Sequence, residues 1–301
     1  MTKVLLALGA AAVAAGVTHW VAASLIPHTP LLRRNHRGVP VPTGLGLAVL
    51  VGLAGALAFV EFVHAVAPHA PTPALAVIGG IHLLVLGFGF GVLGLFDDLS
   101  AQPERGWRSH VPALMGGRLT PGALKIAGGG MLAFTIGAAA ATSFGWAVVN
   151  TAVIALMANL FNALDVRPGR AAKFYLLGAI PMTIRGEVQQ ITLAATLGAV
   201  AAFLVVDLRE RAMLGDAGSN AIGAVLGGAI VVADPPKWFL LALLAVLVGL
   251  TAVAEGPTLS AWIDRIGPLR TFDRAGRAAS GAGNGEPGDA NPGPASPGVL
   301  H

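Results

Sequence analysis

Apolar segments of about 17–23 residues recur along this chain, each long enough for an α-helix to cross a hydrocarbon core about 30 Å thick. In lipid every backbone N–H and C=O must be paired, so such segments fold as helices or closed barrels. Barrel strands would be shorter and would alternate polar with apolar. The chain has nine candidate spans: 4–26, 43–63, 75–95, 123–142, 146–163, 171–184, 190–207, 217–233 and 238–255. The sixth is short and contains Pro181. The first carries one Lys and no small-residue cleavage pattern before Pro27, so it reads as a helix rather than a signal peptide. Hydrophobic residues make up 55% of the chain and charged residues only 11%, against roughly a quarter charged in soluble domains. The predicted fold class is all-α, a polytopic membrane helical bundle of about nine transmembrane helices.

The few charges are unevenly placed. Sixteen of the nineteen Lys and Arg residues fall in loops on one side, counted from the loop after the first span; only Lys3, Arg185 and Lys237 fall on the other. That bias puts the rich side in the cytoplasm, the N-terminus outside and the C-terminus inside. It also accounts for the +4 net charge without nucleic acid. Asp97, Asp98, Asp165, Asp207, Asp216 and Asp264 fall on the same side. Acids and bases converging on one membrane face suit an anionic, metal-bridged substrate. No cysteine is present, which excludes disulfides, thiolate metal sites and cysteine nucleophiles. The 41 glycines, many inside apolar segments, permit close helix contact. A polytopic domain over 1–274 gives way to a Gly/Pro/Ala/Ser-rich segment, 275–301, predicted to be a disordered cytoplasmic tail.

Four polar clusters carry the chemistry. Residues 33–46 combine Arg33, Arg34, His36 and Arg37 with a Pro/Gly turn before the second span. This is either a phosphate-binding corner or a topology signal with a turn. The third span ends in Gly94-Leu95-Phe96-Asp97-Asp98. Adjacent carboxylates at a membrane face repel one another, so a divalent ion is a natural companion; the alternative is a solvated helix end. Asn159, Asn162 and Asp165 recur every three residues at the end of the fifth span. They suit a polar ligand such as a nucleobase or sugar, or they cap the helix before Pro168-Gly169. In Met213-Leu214-Gly215-Asp216-Ala217-Gly218-Ser219, glycines let the backbone approach a ligand and Asp216 is placed to hold Mg²⁺ with bound phosphates. Asp216 or Ser219 would otherwise serve as an N-cap. The eight histidines show no metal-ligand spacing. The intramembrane charges cluster at one face rather than mid-membrane, which argues against a transporter.

In this order the clusters resemble the polyprenyl-phosphate hexosamine-1-phosphate transferases, the MraY/WecA/TagO-like members of glycosyltransferase family 4. The resemblance covers about residues 30–270. It implies a Mg²⁺-dependent phosphoglycosyl transferase of the cell membrane in cell-envelope glycan or peptidoglycan-type biosynthesis. Such an enzyme moves a phospho-sugar from a UDP-sugar to a polyprenyl phosphate such as undecaprenyl phosphate, giving polyprenyl-diphospho-sugar and UMP. It further implies catalytic roles for Asp97, Asp98 and Asp216, with Asp216 and Asp98 at the metal. Arg37, Asn159, Asn162, Asp165, Arg167, Arg170, Lys173, Gly215 and Ser219 would bind substrate. The family also implies a homodimer.

Two departures stand out. Where the family commonly has a second Asp after the asparagine motif, the chain has Pro168, with Arg167, Arg170 and Lys173 adding positive charge. The family's His-rich last cytoplasmic loop is replaced by Glu255-Gly256-Pro257-Thr258-Leu259-Ser260. The rival expectation is therefore a catalytically silent paralogue that binds polyprenyl (di)phosphate or an envelope-assembly partner.

Overall fold

The structure is a computed structural model that describes residues 2–67, 74–99, 121–185, 190–254 and 258–277. The expected cations Arg105, Arg108 and Arg118, His110, and the expected tail from 278 onward lie outside these residues. The described residues form eleven helices and one small hairpin. The helices are α1 (Thr2–Leu25), α2 (Leu47–Val66), α3 (Ala74–Leu99), α4 (Pro121–Ala139), α5 (Phe144–Leu164) and α6 (Arg170–Arg185). They continue as α7 (Gln190–Leu208), α8 (Gly215–Val232), α9 (Lys237–Ala254), α10 (Thr258–Arg265) and α11 (Gly267–Arg274). All nine predicted spans are present as helices, so the polytopic helical bundle is the fold. Seven are long and apolar enough to cross a membrane. α6 has only 16 residues and runs through Pro181, and the apolar part of α9 is Lys237–Val253.

α8 is the axis of the bundle. It is 83% buried, against 22% for α1, and packs on α3 and α5. Its sequence explains this. A helix rich in Gly and Ala offers little side chain, so neighbouring backbones come close, and in lipid that packing is what holds helices together. A Cβ at Gly223 would lie 2.7 Å from the Met157 carbonyl oxygen, and one at Gly227 would lie 3.0 Å from the Ile154 Cα. α1 and α2 pack with α7, α4 lies against α3 and α5, α6 against α7, and α9 against α5. Outward-facing Leu5, Leu8, Phe134, Val205, Leu241 and Val246 leave an apolar exterior that suits lipid.

Two local features differ from the sequence reading. α3 continues past the predicted span end at 95, through Asp97 and Asp98 to Leu99, so both acids stand on its last turn. The corner before α2 holds an antiparallel hairpin, β1 (Leu32–Arg34) with β2 (Pro40–Pro42), in the register Arg33↔Val41. Its turn is closed by Asn35, whose side-chain oxygen accepts from the N–H groups of Arg37 (2.9 Å) and Val39 (3.0 Å), and by Gly38 at φ +77°.

Candidate functional site: an aspartate cluster at one membrane face

The start of α8 meets the end of α3 because glycines let it. Gly94 has no Cβ to strike the Asp216 carbonyl group. Gly46 and Gly218 bring α2 and α8 into backbone contact, and the Gly46 N–H donates to the Leu214 carbonyl at 3.1 Å. Gly215 sits at φ +69°, a conformation that favours glycine. A Cβ there would also lie 2.6 Å from both the Gly44 nitrogen and the Thr43 hydroxyl. Asp98 then caps α8. Its carboxylate, fully shielded from solvent, accepts the N–H groups of Asp216 (3.2 Å) and Ala217 (3.1 Å). Two otherwise unpaired donors at a positive helix end are satisfied by one anion.

Two cations bind the acids together. Lys125 of α4 reaches Asp97 Oδ2 at 3.1 Å and Asp216 Oδ2 at 3.2 Å. Arg33 of β1 reaches Asp98 Oδ1 at 3.3 Å and Asp216 Oδ1 at 3.4 Å. Asn162 completes the ring. With its amide oriented to satisfy the network, its nitrogen donates to Asp216 Oδ1 (3.1 Å) and to the Ser219 hydroxyl (3.3 Å). Its oxygen then accepts from Lys125 Nζ (3.1 Å). Ser219 donates onward to the Gly215 carbonyl at 2.8 Å. Asp165 lies just behind. Burial, and then the negative charges of Asp207, Asp216 and Asp98, push its carboxyl well above the ordinary range, while a hydrogen bond from the Gly215 N–H pulls it down.

The structure thus brings Asp97, Asp98, Asp216, Asn162, Asp165, Gly215 and Ser219 together. It places the other expected site residues elsewhere. Arg37 pairs with Glu210 at 3.1 Å. Asn159 is exposed and lines a cavity beside the cluster. Arg167 makes a two-pronged pair with Asp264 at 3.0 and 2.8 Å. Arg170 is buried and forks onto Asp273 at 2.7 and 3.0 Å, with Ser260 at 2.8 Å. Lys173 donates to the carbonyls of Phe272, Asp273 and Ala275. These three cations hold α10 and α11 against the α5–α6 loop, and Arg277 adds a hydrogen bond to the Pro168 carbonyl at 3.1 Å. The clamped region therefore runs past the expected boundary at 274 to at least Arg277.

Lys125 is the site residue that sequence reading passed over as a loop charge, and Arg33 stood in the corner read as either a phosphate site or a topology signal. A lysine one turn inside an apolar helix is the signal that marks Lys125, because an intramembrane cation needs a partner.

Beside the cluster opens a cavity of about 540 Å³ between α3, α4, α5, α8 and α9. Phe90, Ile126, Leu156 and Val248 give it apolar walls, and Lys125 and Asn220 are polar points in its lining. Among the described residues, no group of three acids or histidines encloses a metal-sized point. Mg²⁺ does not need such a cage, since it is commonly held by one or two carboxylates plus waters and substrate phosphates. Asp97 and Asp216, already converging on one ammonium, fit that kind of site.

Fold and site together define a polytopic membrane protein with an acidic centre at one face, beside an apolar cavity. The model of glycosyl transferase family 4 matches residues 80–234, just over half of the chain. The chain belongs to that family and is a transferase of that general kind. A search of curated proteins finds no match.

Proposed function

We propose that this protein transfers a phospho-sugar from a UDP-sugar to a membrane polyprenyl phosphate, releasing UMP. Family membership supports the reaction class. The observation that carries the reading is the double role of Lys125, which touches Asp97 and Asp216 and also lines the apolar cavity. A lipid chain in that cavity would deliver its phosphate to Lys125 and the carboxylates it touches.

An oxygen of the lipid phosphate attacks the sugar-linked phosphorus, the P–O bond to the nucleotide breaks, and UMP leaves. Two anions must approach each other, so charge compensation and alignment carry the catalysis. Lys125 and Arg33 offset charge on the phosphates. Asp97, the more solvent-accessible of the two acids on α3, positions the acceptor or takes its proton. Mg²⁺, held by Asp216 with Asp97, would supply the remaining neutralisation of the diphosphate. Asp98 was expected at the metal; because both its oxygens already hold backbone N–H groups, its part in this proposal is to fix Asp216. Asn162, Ser219 and Asp165 line the donor side. The basic bias of the aspartate face supports a cytoplasmic active face with the N-terminus outside, and the proposed lipid acceptor supports the plasma membrane as its location.

A binding-only paralogue is the second reading. It is favoured by one observation: Arg167, Arg170 and Lys173 are engaged by α10 and α11 and do not face the aspartates. The experiment is UMP release by the purified protein with polyprenyl phosphate, Mg²⁺ and a panel of UDP-sugars. Release that needs lipid and metal and disappears in Asp216→Asn supports the transferase. No release from any donor, with lipid-phosphate binding intact, supports the paralogue.

A further inference from the structure

α10 and α11 have no role in the proposed reaction, yet they are firmly held. Each has eight residues, about 12 Å of helix, so neither can cross a bilayer. Thr258 lies four peptide steps beyond Ala254, the end of α9, so the pair starts within about 14 Å of that helix end. It therefore lies at the membrane boundary, on the face that carries the aspartates. α10 is also strongly sided. Leu259 and Ile263 are buried in the bundle. Ser260 and Asp264, on one flank, are bound by Arg170 and Arg167. Trp262 falls on the opposite flank of the helix.

The exposed surface of the two helices carries apolar and basic side chains that the clamp leaves unexplained. Trp262 is 53% exposed and Ile266 43% exposed. Arg265, Arg270 and Arg274 are exposed. The acids of this pair of helices, Asp264 and Asp273, are held by Arg167, Arg170 and Arg277. No ion pair joins Arg265, Arg270 or Arg274 to an acid among the described residues.

We propose that α10–α11 is a foot resting in the headgroup layer of the same bilayer, with its arginines on the phosphates of anionic lipids. Trp262 and Ile266 enter the interface, where an amphipathic indole is favoured. Arg265, Arg270 and Arg274 supply the complementary charge, as juxtamembrane basic clusters do at anionic leaflets. The occupant is lipid rather than a protein partner for two reasons. The apolar part is only two large side chains, and the tether to α9 keeps it at the bilayer edge. The clamp from Arg167, Arg170 and Lys173 holds the foot at a fixed angle, so its lipid contact is built into the fold.

The chain has no cysteine, so one introduced thiol gives one spin label. The full-length protein carrying Ile266→Cys is labelled and placed in nanodiscs of phosphatidylcholine, with or without phosphatidylglycerol. Ala233→Cys, at an exposed position in the turn between α8 and α9, away from α10 and α11, is the aqueous reference. Collision rates with oxygen and with a water-soluble nickel chelate report depth. The proposal expects the label at 266 to be shielded from nickel and reached by oxygen in the anionic discs, on the order of 5 Å below the phosphates. Arg265→Glu/Arg270→Glu/Arg274→Glu should return it to nickel; the triple Gln variant serves if the Glu variant does not fold. A label at 266 as nickel-accessible as the reference at 233 in every disc would overturn the proposal and leave this surface to water or a protein partner. A depth unchanged by phosphatidylglycerol and by the substitutions would overturn the headgroup contact.

Discussion

Gly94→Ala is a change of one methyl group at a distance from any substrate, and the structure says it should nearly silence the protein. The added Cβ would lie 2.5 Å from the Asp216 carbonyl carbon and 2.7 Å from the Ala217 nitrogen, and closer still to the Asp216 carbonyl oxygen. Ordinary contact begins near 3.4 Å. No flexible side-chain end is there to yield, so the first turn of α8 must recede by roughly 1 Å. A displacement of that size at a reacting group can cost about 100-fold in rate, while overpacking costs about 1–3 kcal/mol of stability. Ala also favours helix over Gly by about 1 kcal/mol, so the fold itself should survive. The assay is kcat for UMP release on the best donor, alongside detergent size-exclusion to confirm a folded protein. Gly79→Ala, on the same helix with nothing within 4 Å of its Cβ, carries the same gain in helix propensity without the clash and should be silent. A folded Gly94→Ala protein with wild-type kcat would refute the claim that the α3–α8 contact sets the position of Asp216.

Other substitutions test other parts of the design. Lys125→Met removes the cation that shares one oxygen each with Asp97 and Asp216, so Mn²⁺ binding read by EPR should tighten by about tenfold (about 1.4 kcal/mol) while turnover falls. Asp98→Ala leaves the first N–H groups of α8 without their acceptor and should lower the thermal midpoint, at a cap cost of about 0.5–2 kcal/mol, whereas Asp98→Asn keeps an acceptor and loses less. Asp273→Ala strands the buried Arg170 and should cost about 3–5 kcal/mol; Asp264→Ala, at the partly exposed pair, should cost about 1 kcal/mol or less. The clamp should also be acid-sensitive. Arg167 holds the Asp264 carboxyl below its ordinary value of 3.8; burial pushes Asp273 up, but Arg170 brings it below the same value. Depressed carboxyls stabilise fully above that ordinary value and lose the contribution as pH falls through their folded values. A spin label at position 261 should therefore keep its mobility from neutral pH down to about 5 and loosen only below about 4.

The membrane helices were legible because length and apolarity are properties of a single stretch. All nine predicted spans are helices, and the order of the acidic and asparagine motifs was enough to suggest the family. What the sequence concealed was pairing across long separations. Arg170 and Asp273 are 103 residues apart, and nothing in the local sequence of either names the other. With Pro168 beside them, the three cations Arg167, Arg170 and Lys173 looked like a substrate site. Lys125 looked like a topology charge because it is a base near a helix start, while Arg33 stood in a corner that read equally as a phosphate site or a topology signal. The hairpin before α2 was hidden by Pro40 and Pro42, poor strand formers that a two-stranded edge tolerates.

The placement of those cations bears on what the donor must bring. Arg167, Arg170 and Lys173 are committed to α10 and α11, so among the described residues Arg33 and Lys125 are the cations at the aspartates. Both already bridge two carboxylates. A nucleotide diphosphate arriving there with a lipid phosphate would bring more negative charge than two shared cations can offset. The arrangement therefore demands further positive charge at the moment of reaction, and Asp97 and Asp216 are the carboxylates that would hold a divalent ion to supply it. On that reading Lys125 has a second part: it holds the two carboxylates together before substrate arrives. If so, substrate-free protein without Mg²⁺ should keep its thermal midpoint, and Lys125→Met should lose several degrees that Mg²⁺ restores. A Lys125→Met protein as stable as wild type in EDTA would mean that the acids tolerate each other unaided, and the charge argument would fail.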